Sequence, residues 1–244
     1  MSHATSDAGV IYPDSDGKPM SDNTIQFRWI VTVQGNLDLL FAARADVFVA
    51  GDNLIYPVRG SNTIRQAPDV YVAFGRPKGD RGSYKVWDEG DTFPQVVFEV
   101  LSPGNRAGEL RRKLAFYTTY TTYGAEEYYV IDPDRGTLRG YARGPAGLDP
   151  IPDVNGWVSP RLGVRFEDDP ELQLYGPDGR RFLSFVELGE LANQERGRAE
   201  AETRRAEAEK RRAEAEQQRA DAERERAEKF AAKLRALGLD PDEP

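Results

Sequence analysis

The 244-residue sequence has no cysteine and a single histidine, His3. The first absence excludes disulfides, thiolate metal sites and cysteine nucleophiles, and fits a reducing compartment. The second excludes a Ser-His-Asp triad, a core histidine base and His-rich zinc or iron sites, because His3 lies in a polar leader. Any enzymatic chemistry must therefore rest on carboxylates, lysine, tyrosine, serine or a bound cation. No apolar run approaches ~18 residues, so no transmembrane helix is expected. The N-terminus lacks the apolar stretch of a secretory signal, and a soluble cytoplasmic protein is the expectation. Basic excess is also missing. The formal net charge is −8, which argues mildly against a nucleic-acid binder, although a local basic patch survives such an average.

The hydrophobic fraction, 39%, is low for a wholly globular chain, and the deficit is uneven. Three regions are expected: a disordered leader over 1–20, a folded domain over 21–186, and an Ala/Glu/Arg-rich helical tail over 187–244. The tail repeats "AEAETRR", "AEAEKRR", "AEAEQQR" and "ADAERER" every seven residues. Its alanines lie at the first and third positions, ~200° apart, and so form no a/d seam. Pairs such as Glu200–Arg204, Glu207–Arg211, Glu202–Arg205, Glu209–Arg212 and Glu216–Arg219 have helical spacing, each worth ~0.2–0.5 kcal/mol. A solvated charged helix is the plain reading, and an alanine-seamed coiled coil is the alternative. Phe230, Leu234 and Leu237 form an apolar stripe that could anchor a partner.

Within the domain, Ile30, Val33, Leu37 and Leu40 recur at helical spacing, so a helix is expected from a cap at Ser21 or Asp22. "DVFVAGDNLIYPV" reads as a hairpin about Gly51-Asp52, and "DVYVAFG" as a third strand. Residues 75–94 read as a loop. "QVVFEVLS" reads as a doubly buried strand, "NRAGELRRKLAFYTTYTTYG" as a helix with Gly124 as a C-cap, and "EEYYVIDPD" as a fifth strand. Strand, helix and strand of this length form a βαβ crossover. Residues 137–184 read as an antiparallel meander. The fold class is mixed α/β with a central sheet.

Glu99 lies inside the apolar run "VVFEVL", sharing a face with Leu101 while Phe98 and Val100 take the other. Asp69 begins an earlier strand. If the strands are neighbours, the two carboxylates converge on one cation, with a backbone carbonyl such as that of Val100 as third ligand. Oxygen donors suit Mg²⁺ or Mn²⁺, which polarises a phosphoryl oxygen. A nearby lysine would orient the attacking water. On these residues alone, a strand glutamate paired with an arginine remains the competing reading.

"RQAPDVYVAFGRPKGDRGSYKVW", "PQVVFEVLSPGNRAGELRRKLAFY" and "YGAEEYYVIDPD" together resemble the Uma-two family of restriction endonucleases, a branch of the PD-(D/E)xK nucleases. The resemblance runs from about Phe27 to Leu183. It implies a restriction-endonuclease-like core, a mixed sheet flanked by helices with carboxylates on adjacent strands. It further implies a Mg²⁺- or Mn²⁺-dependent DNA endonuclease. Asp69 and Glu99 match the family's acidic positions, and Leu101 stands where the superfamily usually has lysine. Lys113 on the following helix matches the family's replacement lysine, with Tyr117 four residues on. Ser102 and Glu109 match motif positions without an assigned chemistry. Two departures stand out: a duplicated Thr-Thr-Tyr after Tyr117, and the amide Gln26 where the superfamily sometimes has an acid or histidine. DNA-backbone contacts are expected from Arg106, Arg111 and Arg112, and in the loop from Arg76 and Lys78, with Arg81 and Lys85 as further cations there. Tyr128 and Tyr129 are expected to pack the sheet. The resemblance leaves homodimerisation or a protein partner of the tail open. The alternatives are a non-catalytic interaction module on a nuclease fold, and a hydrolase of RNA or a nucleotide.

Overall fold

The computed structural model describes residues 5–7, 9–17, 19–104, 107–119 and 124–236. His3, Arg106, Leu237 and most of the duplicated Thr-Thr-Tyr lie outside them. The chain divides into two compact units, Met1–Val186 and Glu187–Pro244.

The first unit is built on a six-stranded mixed sheet. Its strands are β3 (Val47–Ala50), β5 (Val70–Phe74), β7 (Val96–Val100), β8 (Glu127–Asp132), β9 (Thr137–Gly144) and β10 (Gly147–Pro150), in spatial order β10-β9-β8-β7-β5-β3. Only β7 and β8 run parallel within it. A parallel pair needs a crossover, and α2 (Ala107–Thr119) supplies it, which is the expected βαβ unit.

Alternation along the strands separates two cores. Val70 and Val72 of β5, with Val96, Phe98 and Val100 of β7, pack on one face with α1 (Thr24–Leu40), which buries Ile30, Val33 and Leu37. The hairpin of β11 (Arg165–Glu167) and β12 (Gln173–Tyr175) covers the same face through Phe166 and Leu174. Tyr71, Ala73, Val97, Tyr128 and Val130 pack on the opposite face with Phe116 and Tyr117 of α2. All five residues of β7 are buried, so this strand is the centre of the sandwich. Tyr128 and Tyr129 pack the two faces of the sheet.

Four expectations change. The leader contains a hairpin, β1 (Thr5–Asp7) with β2 (Val10–Tyr12). Tyr12 is buried beside Tyr56 and Trp87, an aromatic contact that low average hydropathy conceals. The cap of α1 is Asn23, whose Oδ1 accepts from the Gln26 amide; Asp22 precedes it. Gly51-Asp52 is no hairpin turn. β3 pairs with β5, while β4 (Ile55–Tyr56) leaves the sheet and pairs in parallel with β6 (Tyr84–Lys85). The glycine is needed for close approach: a Cβ there would enter the Asp69 carbonyl oxygen. Asp52 follows with a left-handed φ of 57° and donates its N–H to the Pro68 carbonyl at 2.9 Å. The expected loop of residues 75–94 is partly core, since Tyr84, Val86 and Phe93 are buried.

In the second unit, α3 (Phe185–Ala236) is a 52-residue helix with no buried residue. Glu200–Arg204 closes at 3.5 Å, as its spacing predicts, and Glu195–Arg198, Lys210–Glu214 and Glu225–Lys229 also pair.

Because Gly51 touches the backbone of Asp69, Gly51→Ala tests whether the turn positions that residue. It is expected to cost about 1–3 kcal/mol in urea unfolding, the usual penalty of overpacking. An unchanged midpoint would show that the backbone yields freely there.

Candidate active site

The β5–β7 register pairs Val70 with Phe98 and Tyr71 with Val97. Continued by one residue, it sets Asp69 opposite Glu99, and both side chains take the α2 face. Directly opposed residues on one face lie within about 5.5 Å at Cβ. The pair is locked from below, because the Val100 N–H donates to Asp69 Oδ2 at 2.5 Å. Asp69 Oδ1 makes no hydrogen bond to a described residue.

Lys113 and Tyr117 are one turn apart on α2 and both reach Glu99. Lys113 Nζ lies 2.6 Å from Glu99 Oε2, and the Tyr117 hydroxyl donates to Oε1 at 3.1 Å. Glu99 is 2% exposed and Lys113 13%, so this is a buried ion pair. The missing lysine at Leu101 is thus replaced in space by Lys113: the structure brings Asp69, Glu99 and Lys113 together, with Tyr117 behind them.

Gln26 ties α1 to the same place. Its Nε2 donates to the Val100 carbonyl at 2.8 Å, and its Oε1 accepts the Asp22 N–H at 2.8 Å. The carbonyl expected as a ligand is therefore already an acceptor, with a second lone pair left. Ser102 donates to Asp22 Oδ2 at 2.5 Å, which makes it a brace for the segment entering α1. Asp16, Asp22, Asp52, Asp69 and Glu109 share with Lys113 a cleft of about 180 Å³. Sequence reasoning missed Asp22 and Asp52; turn aspartates carry no signal until the fold gathers them.

The electrostatics follow from this crowding. Burial, then the charge of Glu99, push the Asp69 carboxyl up to about 8. Burial also raises Glu99, while Lys113 and Tyr117 pull it back. Burial works against the Lys113 ammonium, but Glu99 and Asp69 outweigh it and hold its proton above the ordinary lysine range. Burial, then Glu99, keep the Tyr117 hydroxyl protonated. Two buried carboxyls thus share one ammonium and hold on to a proton, which an added cation would displace.

A second buried glutamate shows the contrast. Glu127 accepts from Tyr129 and Arg161 N–H at 2.8 and 2.7 Å and from Ser159. Those donors are neutral, and they fasten the chain before β11 to β8. Glu127 holds the fold through neutral donors, whereas Glu99 is paired with the ammonium of Lys113, which lines the cleft.

The expected phosphate contacts separate. Arg76 follows the far end of β5, where its N–H meets the Asp46 carbonyl at 3.1 Å. The five-residue strand Val70–Phe74, about 17 Å long, divides it from Asp69, and Lys78 lies beyond it. Arg81 is engaged by Glu89 at 2.6 Å and stacks on Phe48 at 3.9 Å. Lys85 is 4.0 Å from Asp88. Arg111 and Arg112 are exposed on α2.

With that geometry in view, residues 18–168 match the model of the Uma2 family, described as "Putative restriction endonuclease". The chain belongs to the Uma2 family. The match spans more than half of the chain and includes every residue of the Asp69–Glu99–Lys113 cluster. A solved structure, described as "a putative nuclease belonging to DUF820 from Anabaena variabilis ATCC 29413", is similar over 63% of this chain and 78% of its own, at 15% identity and a TM-score of 0.40. No curated protein matches. No helix among the described residues is long and apolar enough to cross a membrane.

Removing the ammonium should expose the cost of burying Glu99. Lys113→Met is expected to lose about 3–5 kcal/mol at pH 8, the usual result of orphaning one member of a buried pair. The folded-state pKa of Glu99 then lies further above its unfolded value. Stability is present below the unfolded pKa and lost as pH rises toward the folded one. The loss should therefore shrink at pH 5, which urea melts in EDTA at both pH values would read. An equal loss at both would rule out charge burial as the cause.

Proposed function

We propose that this Uma2 protein is a divalent-metal-dependent DNA endonuclease with Asp69, Glu99 and Lys113 as its catalytic residues. The observation that carries the reading is the convergence of two strand carboxylates and a helix ammonium at one cleft, from positions 69, 99 and 113. The donor set fits the metal. Asp69 Oδ1, Glu99 and the Val100 carbonyl are hard oxygen donors, suited to Mg²⁺ or Mn²⁺ with waters filling the remaining positions. Among the described residues there is no group of three or more Asp, Glu, His or Cys side chains for a cation, so a backbone or water ligand is required.

A cation held there would supply Lewis acidity at the scissile phosphodiester. The protein's own groups supply the rest. Lys113, held protonated, stabilises charge on the phosphoryl oxygens as water adds to phosphorus, the P–O bond to the leaving strand breaks, and the proton lost by the water is made up on the departing oxygen. Tyr117 and Lys113 fix the Glu99 carboxylate from two sides. Gln26 fixes the Val100 carbonyl, and the Val100 N–H fixes Asp69. The cleft's remaining carboxylates oppose an approaching phosphate, so strand binding there depends on the cation as well.

Asp69→Asn and Glu99→Gln are expected to cut DNA cleavage in Mg²⁺ or Mn²⁺ by more than about a hundredfold, beyond the 10–100-fold cost of losing an outer partner. Calorimetry should show Mn²⁺ binding to the wild type and its loss in both variants, with folding retained by circular dichroism. Cleavage equal to wild type in both variants would remove these residues from the chemistry. Absence of both metal heat and cleavage in the wild type would leave a nuclease-fold interaction module as the better reading.

A further inference from the structure

The sheet carries the acidic pair into a row. Glu99 pairs with Val130 across β7–β8, and Val130 with Arg139 across β8–β9. All of these side chains take the α2 face, because Tyr128, Val130 and Tyr141 pack in the α2-side core and Leu138 in the other. The row therefore reads Asp69, Glu99, Val130, Arg139. Adjacent strands are about 4.8 Å apart, so Arg139 stands about 10 Å from Glu99.

A cavity of about 330 Å³ opens at that end of the row, between α2 and β8–β9. Leu110, Leu114 and Val130 give it apolar walls, and Tyr128 and Tyr141 line it with rings 5.8 Å apart. Arg111 and Arg139 flank it, both exposed and neither hydrogen-bonded nor ion-paired among the described residues. Two unpaired guanidinium groups beside one apolar slot are notable on a chain of net charge −8. A second observation is independent of charge. The Tyr128 side chain is 1% exposed, yet its hydroxyl has no hydrogen-bond partner among the described residues. A buried orphan donor carries a desolvation cost, and a ligand that accepts from it would remove that cost.

Building on the nuclease reading above, we propose that this cavity is a subsite for one unstacked nucleotide of the DNA strand. Arg111 and Arg139 hold its phosphate, the base lies against Tyr141 and Leu114, and the Tyr128 hydroxyl donates to an acceptor on the base edge. The chemistry matches single-strand recognition, where guanidinium groups track the backbone and aromatic rings hold bases. The cavity lies at the small end of ligand sites, which run from about 300 Å³, so it admits one base and not a base pair. About 10 Å corresponds to three stacked nucleotides at a rise of ~3.4 Å, and to fewer in an extended strand. The subsite thus addresses a nucleotide close to the bond presented to Asp69 and Glu99.

The test is fluorescence anisotropy of the full chain in EDTA with a labelled single-stranded DNA 12-mer and its duplex. The wild type should bind the single strand more tightly than the duplex. Arg111→Ala combined with Arg139→Ala should weaken single-strand binding at least tenfold and lower the salt slope by about 0.7, the value for one phosphate contact on a single strand. Its melting temperature should not change, since both arginines are exposed. Tyr128→Phe should weaken binding with an unchanged salt slope. Unchanged affinity in the arginine variant, unchanged affinity in Tyr128→Phe, or absence of wild-type binding would each overturn the subsite. Because EDTA removes the cation, these results are separate from the cleavage assay. Lost cleavage with the shifts intact counts against the nuclease reading alone, and intact cleavage without the shifts counts against the subsite alone.

Discussion

The antiparallel register of β5 on β7 is the constraint on which the rest of the site depends. It pairs residues whose numbers sum to 168, and so sets Asp69 against Glu99. A slip of one residue would turn Asp69 to the α1 face and leave Glu99 alone, because strand side chains alternate. Several independent features guard that register. Val70 and Val72 must enter the α1 core while Tyr71 and Ala73 enter the other. The Val100 N–H grips the Asp69 carboxyl. Gly51 lets the chain after β3 lie against the Asp69 backbone. Hydrophobic packing thereby fixes a polar geometry that is itself electrostatically unfavourable, since the two carboxylates repel in a partly dry setting.

The crossover after β7 explains why the lysine can stand on a helix. A βαβ unit lays its helix over one face of the sheet, here the face shared by Asp69 and Glu99. Positions 113 and 117 then fall on one side of α2 and reach the same carboxylate from different directions. A lysine at position 101 would share that face but sit past the end of β7. Lys113 instead comes from above, with a stem long enough to be packed along most of its length and a charge that stays on the strand glutamate. Moving the ammonium's attachment from strand to helix still leaves it on the strand glutamate.

Much of this was legible in the sequence, because it rests on short-range periodicity. The α1 face, the buried strand with Glu99, the crossover and the exposed charged tail follow from spacing and composition. The partnership of Lys113 with Glu99 needed the family resemblance, since no periodicity reports which helix side chain reaches which strand. Pairings between distant segments were not legible. β4 joins β6 and not β3, because Gly51-Asp52 looks the same as a hairpin turn until the Asp69 backbone is seen against it. Arg76 and Lys78 seemed close to Asp69 along the chain, yet a strand runs away from its own start, and β5 carries them to the other end of the sheet. Arg139 gave no signal, because its relation to Glu99 passes through two strand registers.

The placement of charge gives the surface a direction. At one end of the row that begins with Asp69, carboxylates outnumber ammonium groups among the described residues of the cleft. At the other end, Arg111 and Arg139 have no acidic partner among the described residues. Within α3, Arg198, Arg204 and Lys229 pair with glutamates of the same helix. The low overall charge therefore conceals a local gradient along the α2 face. On the proposed function, a polyanion would meet attraction at Arg139, and a cation would be needed at the acidic end of the row. A strand would then be ordered from the β9 side inward, and metal binding and strand engagement would be coupled. On that reading, the carboxylates that oppose a phosphate in the cleft are also the groups that would admit the cation.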